Sequence, residues 1–271
     1  MDFPLKRIGG RNMHFFESDQ KSSIQLIFLP SGFNPELWKH QIKYFSRSYK
    51  TIAFQPESGE KDRTGEIECL SEILDKEEVK NAVLVSHHLG NSIAQKMEYN
   101  ENVVGVVTTG SREKFVKSPP ELAYRLIEKI SKSEPKLVKK FLFSELADYR
   151  VVKEFSKDIE LPDYSVFKDY MENYSIKKPV KHSMVVHAEK DRFSDIEFIR
   201  SLKPGPQISV IRDAGSFSFY EKPGDYNKAL NDFLIGLEEF VERKELAEAK
   251  TRNRSLKEFN KKELKKVKVE G

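Results

Sequence analysis

The sequence predicts an α/β architecture: a mostly parallel central sheet with helices on both faces, interrupted once by a helical insertion. Three observations predict it. Short, nearly all-apolar runs alternate with stretches of helical spacing, the pattern of strands and crossover helices. Those runs are too continuously apolar for a sheet with one wet face, so both faces should be covered. One long segment, residues 112–179, carries no strand pattern and is too long for a plain loop, so it should hold helices of its own.

The elements follow in order. Residues 24–29 (IQLIFL) read as a strand, 35–44 as helical and 51–54 as a short strand. In 66–76, Ile67, Leu70, Ile73 and Leu74 fall at helical spacing. Residues 82–85 and 103–107 read as buried strands, with a helix at 91–99 between them. Residues 182–187 and 207–211 close the strand series, and 226–240 is amphipathic, with Leu230, Phe233, Leu234 and Leu237 on one face. Residues 11–16 and 24–29 read as an antiparallel lead-in. Within 112–179, Tyr124, Leu126, Ile127, Ile130, Leu137, Phe141 and Leu142 supply apolar faces, and Ser118-Pro119-Pro120 and Lys178-Pro179 bracket the segment. The expected organisation is a core from 1–111 and 180–240, a helical cap at 112–179 and a charged extension at 241–271.

Composition narrows the class. Charged residues make up 33% of the 271-residue chain, above the usual ~25%, and Lys and Glu dominate, as in heat-adapted proteins. The single cysteine, Cys69, allows no internal disulfide and fits a reducing cytoplasm. No run approaches the ~18 apolar residues of a membrane span, and the first residues lack a signal pattern. The expectation is a cytoplasmic protein with no membrane association. Charge is uneven: residues 241–271 hold 11 Lys/Arg against 6 Asp/Glu. Such a basic tail could meet an acidic partner or nucleic acid, although its mixed signs weaken any electrostatic footprint and favour a solvated, partly helical extension.

Four motifs carry chemistry. Leu29-Pro30-Ser31-Gly32-Phe33 ends a strand in a small-residue loop. Val83-Leu84-Val85-Ser86-His87-His88-Leu89-Gly90 runs from strand to helix with small residues two before and two after His88. That spacing suits a tight turn in which strand and helix pass close together. His187-Ala188-Glu189-Lys190-Asp191 follows a strand, and Asp213-Ala214-Gly215-Ser216 leads through Glu221-Lys222-Pro223 into the last helix. Together, over residues 5–240, these resemble the α/β-hydrolase fold family. The resemblance implies a nucleophile elbow at His88, a catalytic-acid position at Asp191 and a catalytic-histidine position at Ser216. It also implies oxyanion donors at the amides of Phe33 and Leu89. Ser31, Gly32 and His87 are expected to line the pocket.

Two of the three triad positions depart from the family pattern. A triad needs a hydroxyl that attacks, an imidazole that takes its proton and a carboxylate that orients the imidazole. His88 is not a hydroxyl, Ser216 is not a base, and Asp191 lacks the usual imidazole. An exchanged pair, with His88 as base and Ser216 as nucleophile, suffers from geometry: a misplacement of ~1 Å costs ~10²-fold. A metal at His87 and His88 lacks supporting ligand spacing, and no cofactor motif is present. Tyr149, Tyr164, Tyr170 and Tyr174 are core or pocket candidates, His187 ends a strand and reads as a buried, hydrogen-bonded histidine, and His14, His40 and His182 default to structural or surface roles. Three functions stay open. One is a non-hydrolytic homologue that binds a small apolar or carboxylate ligand, with a protonated His88 favouring an anion. The second is an altered esterase or proton-transfer enzyme using His88 and Ser216. The third is an interaction protein acting through the basic tail.

Overall fold

The computed structural model describes residues 3–30, 33–57, 63–77, 79–113, 119–174, 176 and 182–267. Its strands are β1 (Leu5–Ile8), β2 (Arg11–Glu17), β3 (Gln25–Phe28), β4 (Lys50–Pro56), β5 (Ala82–His87), β6 (Val103–Thr109), β7 (His182–Ala188) and β8 (Gln207–Ile211). They form one sheet in the order β1-β2-β4-β3-β5-β6-β7-β8. β2 runs antiparallel to β1 and β4, and all pairings from β4 through β3 to β8 are parallel.

The expected antiparallel lead-in is corrected in one respect. β2 does not pair with β3; β3 lies between β4 and β5, parallel to both. Burial explains the choice. Leu26, Ile27 and Phe28 are all buried, so β3 needs cover on both faces and neighbours on both edges. β2 alternates buried Met13 and Phe15 with more exposed neighbours, the pattern of a strand with one wet face.

The helices are α1 (Lys39–Phe45), α2 (Arg63–Lys76), α3 (Asn91–Met97), α4 (Glu121–Ser133), α5 (Pro135–Leu142), α6 (Tyr149–Asp158), α7 (Tyr164–Glu172), α8 (Ile196–Ser201), α9 (Ser218–Glu221) and α10 (Pro223–Val267). Leu70, Ile73 and Leu74 of α2 and Ile93, Ala94 and Met97 of α3 share one core with Ile27, Leu84 and Val106 of the sheet. A second packing group is aromatic: Trp38 stacks on Phe219 at 4.0 Å between centroids and tilts against Phe28 and Tyr226. Rings of this size dominate local burial, each fully buried apolar side chain contributing ~1.5–3 kcal/mol.

Between β6 and β7 the described residues form four helices, α4 to α7, and no strand. Of the four tyrosines named above as core or pocket candidates, two are core residues: Tyr170 is fully buried in the main cluster and Tyr174 is buried. Tyr164 donates to the Pro119 carbonyl, and Tyr149 is exposed. Polar ties hold α6 to the loop after β3 and to α1. Asn34 donates to the Asp158 carbonyl at 2.6 Å and accepts from the Glu160 amide at 3.1 Å. Lys39 pairs with Asp158 at 2.6 Å and with Glu154. Burial alone would lower the Lys39 pKa, but hydrogen bonds to Asp158 and Glu154 outweigh it and raise the pKa. By compactness the chain divides into two units, Met1–Phe233 and Leu234–Gly271. The second consists, where described, of the continuation of α10, helical as far as Val267. No helix among the described residues is long and apolar enough to cross a membrane.

Candidate functional site

β5 is buried along its whole length and ends in a strained turn. His88 opens that turn with φ +40°. A non-glycine residue there is uncommon, histidine being among the more tolerant, and the strain costs ~1–3 kcal/mol unless the surroundings enforce it. The enforcement is visible. Ser86 donates to Asn91 Oδ1 at 2.8 Å. Asn91 Nδ2 in turn donates to the Thr109 carbonyl at 2.9 Å and to Ser111 Oγ at 3.1 Å. This buried amide therefore ties the start of α3 to the ends of β5 and β6.

The imidazole of His88 rests on the backbone of Gly110. A Cβ built there would lie 2.4 Å from His88 Cε1 and 2.6 Å from Nδ1, and Gly110 itself has φ +66°. Only glycine satisfies both conditions. Neither Gly110 nor Asn91 stood out in the sequence. The one available signal for Gly110 was its place directly after the apolar run of β6, where a strand must turn.

Asp191 follows β7, and its side chain is 0% exposed. Oδ1 accepts from Ser216 Oγ at 2.6 Å and from the Phe193 amide at 2.9 Å. Oδ2 makes no hydrogen bond and lies 3.7 Å from His88 Nε2. The three triad-equivalent residues are thus brought together, with two corrections. Asp191 does face an imidazole, that of His88, reached from the elbow side instead of from the loop after β8. Ser216 directs its hydroxyl to Asp191 and not to His88. The carboxylate wins the hydroxyl because a bond to a charged acceptor is about twice as strong as one between neutral groups.

Ser216 is held from behind. Its carbonyl lies 2.9 Å from His87 Nε2. The loop glycine before it, Gly215, has no room for a Cβ, which would fall 2.5 Å from the Leu142 carbonyl oxygen at the end of α5. Glu221 accepts from the amides of both Gly215 and Ser144. At 1% exposure Ser216 is closed off from solvent.

Electrostatics correct a further expectation. Burial lowers the pKa of His88; the Asp191 carboxylate and the Gly110 backbone oppose this without reversing it, and Arg112 adds to it. His88 is therefore neutral near pH 7, and no protonated imidazole attracts an anion here. His87 is lowered further, by burial and by its neighbour His88, with Ser216 opposing. Its ring packs against Phe217 and Phe219 at 4.4 and 5.0 Å, so His87 is an interior support and not pocket lining.

The oxyanion expectation is corrected at Phe33, whose amide donates to the Pro30 carbonyl at 2.9 Å. That bond leaves the N–H satisfied. Leu89, the other expected donor, follows His88 in the turn, and its side chain belongs to the main core. Ser31 and Gly32 lie outside the described residues. Among the other histidines, His187 is buried, with Nδ1 3.1 Å from Ser194 Oγ. His14 Nδ1 lies 3.0 Å from the Phe3 carbonyl, and His40 packs edge-on against Tyr220. No group of three or more His, Cys, Asp or Glu side chains among the described residues could hold a metal ion.

The strand order, the strained turn after β5 and the buried carboxylate after β7 have one common setting: the chain has the α/β-hydrolase fold. It is similar to a thermophilic esterase from Thermogutta terrifontis, solved with malate bound, at 16% identity and TM-score 0.67, over 88% of this chain and 98% of that one. It is also similar to the carboxylesterase CesB of Bacillus subtilis (18% identity, TM-score 0.64, 87% and 93% covered). A third likeness is to the enol-lactonase of Burkholderia xenovorans LB400 (13% identity, TM-score 0.65, 86% and 100% covered). No family model matches the sequence, and no curated protein does. At these identities the likeness is one of fold, and the activity has to be argued from the site.

Proposed function

We propose that this chain is a non-hydrolytic α/β-hydrolase-fold protein that binds a small, largely apolar molecule beneath the cap formed by α4 to α7. The observation that carries the reading is the Ser216–Asp191 bond at 2.6 Å with both side chains buried. Acyl transfer needs a hydroxyl next to a base and donors aimed at the developing oxyanion. Here the Ser216 hydroxyl faces the carboxylate, the elbow holds an imidazole, and the Phe33 amide is taken by the Pro30 carbonyl.

The polar atoms left over describe the ligand. Asp191 Oδ2 is buried without a hydrogen bond, and the His88 ring has at most the Gly110 backbone as a partner; a buried group left unsatisfied costs ~1–3 kcal/mol. A ligand hydroxyl could donate to one of them and recover that cost. A carboxylate ligand is the weaker candidate, because His88 is neutral and Asp191 is close. Phe193 is the natural cover: its partly exposed ring stands edge-on to His88 at 6.0 Å.

The same leftover atoms favour a second reading, a proton-transfer enzyme with His88 as general base beside Asp191. A neutral imidazole near a carboxylate is a competent base.

Hydrolysis of p-nitrophenyl esters of increasing chain length separates the readings, with wild type compared against His88→Ala and Ser216→Ala. No turnover above the variants is the expected result, together with a raised melting temperature in the presence of apolar alcohols that His88→Ala removes. Turnover that both substitutions abolish would sink the non-hydrolytic reading. Isomerisation or elimination lost in His88→Ala alone would favour the proton-transfer enzyme.

A further inference from the structure

A groove of about 760 Å³ lies between α5 and the loop after β7, and none of the triad-equivalent side chains lines it. Five cationic residues do: Lys136, Lys139 and Lys140 from α5, and Lys190 and Arg192 from the loop. Two carboxylates, Glu145 and Asp213, also line it, which leaves a formal excess of three positive charges. Lys136, Lys140 and Arg192 make no ion pair among the described residues. Lys139 donates to the Ala147 carbonyl at 2.7 Å, which fixes its position without neutralising it. Lys190 has only a loose pairing with Glu189 at 3.6 Å.

One pair in this arrangement is unfavourable to the helix that carries it, although Lys139 and Lys140 suit its last turn. Lys136 and Lys140 are four apart on α5, a like-charge pair that destabilises a helix, and no acidic residue of α5 offsets it. Elsewhere the chain pairs its helical charges at that spacing, as in Glu121–Arg125 and Lys168–Glu172. Unpaired cations on both walls of a groove make a field that draws anions in. Bridging the walls takes more than one negative charge, and the Arg192 guanidinium matches a tetrahedral oxyanion in two-point geometry. Phe143 and exposed Leu146 add apolar surface to the same groove.

We infer that the groove between α5 and the loop after β7 is a binding site for a phosphate monoester carrying an apolar group. This goes beyond the proposed function and does not rest on it. The phosphate could come as a soluble ester or as a lipid headgroup, and both present the same chemistry to the groove.

Titration calorimetry of the full chain with hexyl phosphate, beside sedimentation with phosphatidic-acid vesicles, tests the inference. The variants are Lys136→Ala/Lys140→Ala and Arg192→Ala, with Lys80→Ala/Lys96→Ala as a surface control. Expected is binding of at least one phosphate probe, weakened about tenfold or more in both groove variants, unchanged in the control and unchanged in His88→Ala. Hexanoate should bind at least tenfold more weakly than hexyl phosphate. Binding of hexyl phosphate identifies a soluble ester, and binding of vesicles alone identifies a headgroup. Failure of both probes, equal loss in the control variant, or hexanoate binding as tight as hexyl phosphate would overturn the assignment. Insensitivity of phosphate binding to His88→Ala keeps this result separate from the fate of the proposed function.

Discussion

Asp191 and Arg192 are consecutive residues with opposite fates. The Asp191 side chain is fully buried, takes two hydrogen bonds and faces a neutral imidazole. Arg192 is exposed, makes no ion pair among the described residues and lines an open groove. The difference teaches where each kind of chemistry can reside. A buried charge must be satisfied by the protein itself, so Ser216 and the Phe193 amide belong to Asp191 before any substrate arrives. A solvated charge needs no such partner and stays available. In this chain Asp191 and Ser216 satisfy each other in the interior, while uncommitted charge stands one residue away at the surface.

The sharpest way to break that comparison is Gly110→Ala. The new methyl would meet the His88 ring, and its residue would be held at positive φ. Overpacking and backbone strain together should cost about 3 kcal/mol, read as a lower midpoint in urea unfolding. A cost under about 1 kcal/mol would mean that the imidazole is free to move and the interior side is softer than argued.

Ser216→Ala comes next. It strips a hydrogen bond from a buried carboxylate and should cost about 2 kcal/mol. In a serine nucleophile the same change would leave stability nearly intact, so unfolding of this variant sharpens the contrast between structural and catalytic roles.

Acidification probes the same interior. In the unfolded chain each imidazole takes up a proton as pH falls through about 6.5. In the folded chain His87 and His88 both resist protonation because they are buried. The unfolded state therefore binds more protons below that pH, and stability that is complete above about 6.5 declines as pH drops. Each such proton contributes a slope of up to ~1.4 kcal/mol per pH unit. His87→Phe should flatten this acid limb, as followed by thermal unfolding between pH 7.5 and 5. An unchanged limb would place the titration elsewhere.

Arg192→Ala should have the smallest effect, within about 0.5 kcal/mol of wild type in unfolding. A larger loss would mean that the groove side is also structural, and the distinction between the two neighbours would fail.

Much of the fold is legible in the residues. The apolar runs at β3, β5, β6 and β7 announce strands buried on both faces. Ser86 and Gly90 flanking His88 announce a tight turn, and the turn is there, with His88 at positive φ. The strandless stretch after β6 announces helices, and the described part holds four. The candidate site was legible only as positions. That His88 would be neutral, that Phe33 would give its amide to Pro30, and that Ser216 would turn to Asp191 each depended on which groups are desolvated together. Gly110 lies twenty-two residues beyond His88 in the chain and meets it only through the parallel pairing of β5 with β6. The groove joins lysines of α5 to Lys190 and Arg192, some fifty residues later, and no local pattern links them.

By itself the sequence determined the secondary elements, the strained turn and the identities of the residues at the strand ends, because periodicity and turn sterics act over a few neighbouring residues. Tertiary structure alone decided protonation, hydrogen-bond partners and the gathering of unpaired cations. Those properties are set by burial and by distances across the sheet, which local spacing does not encode.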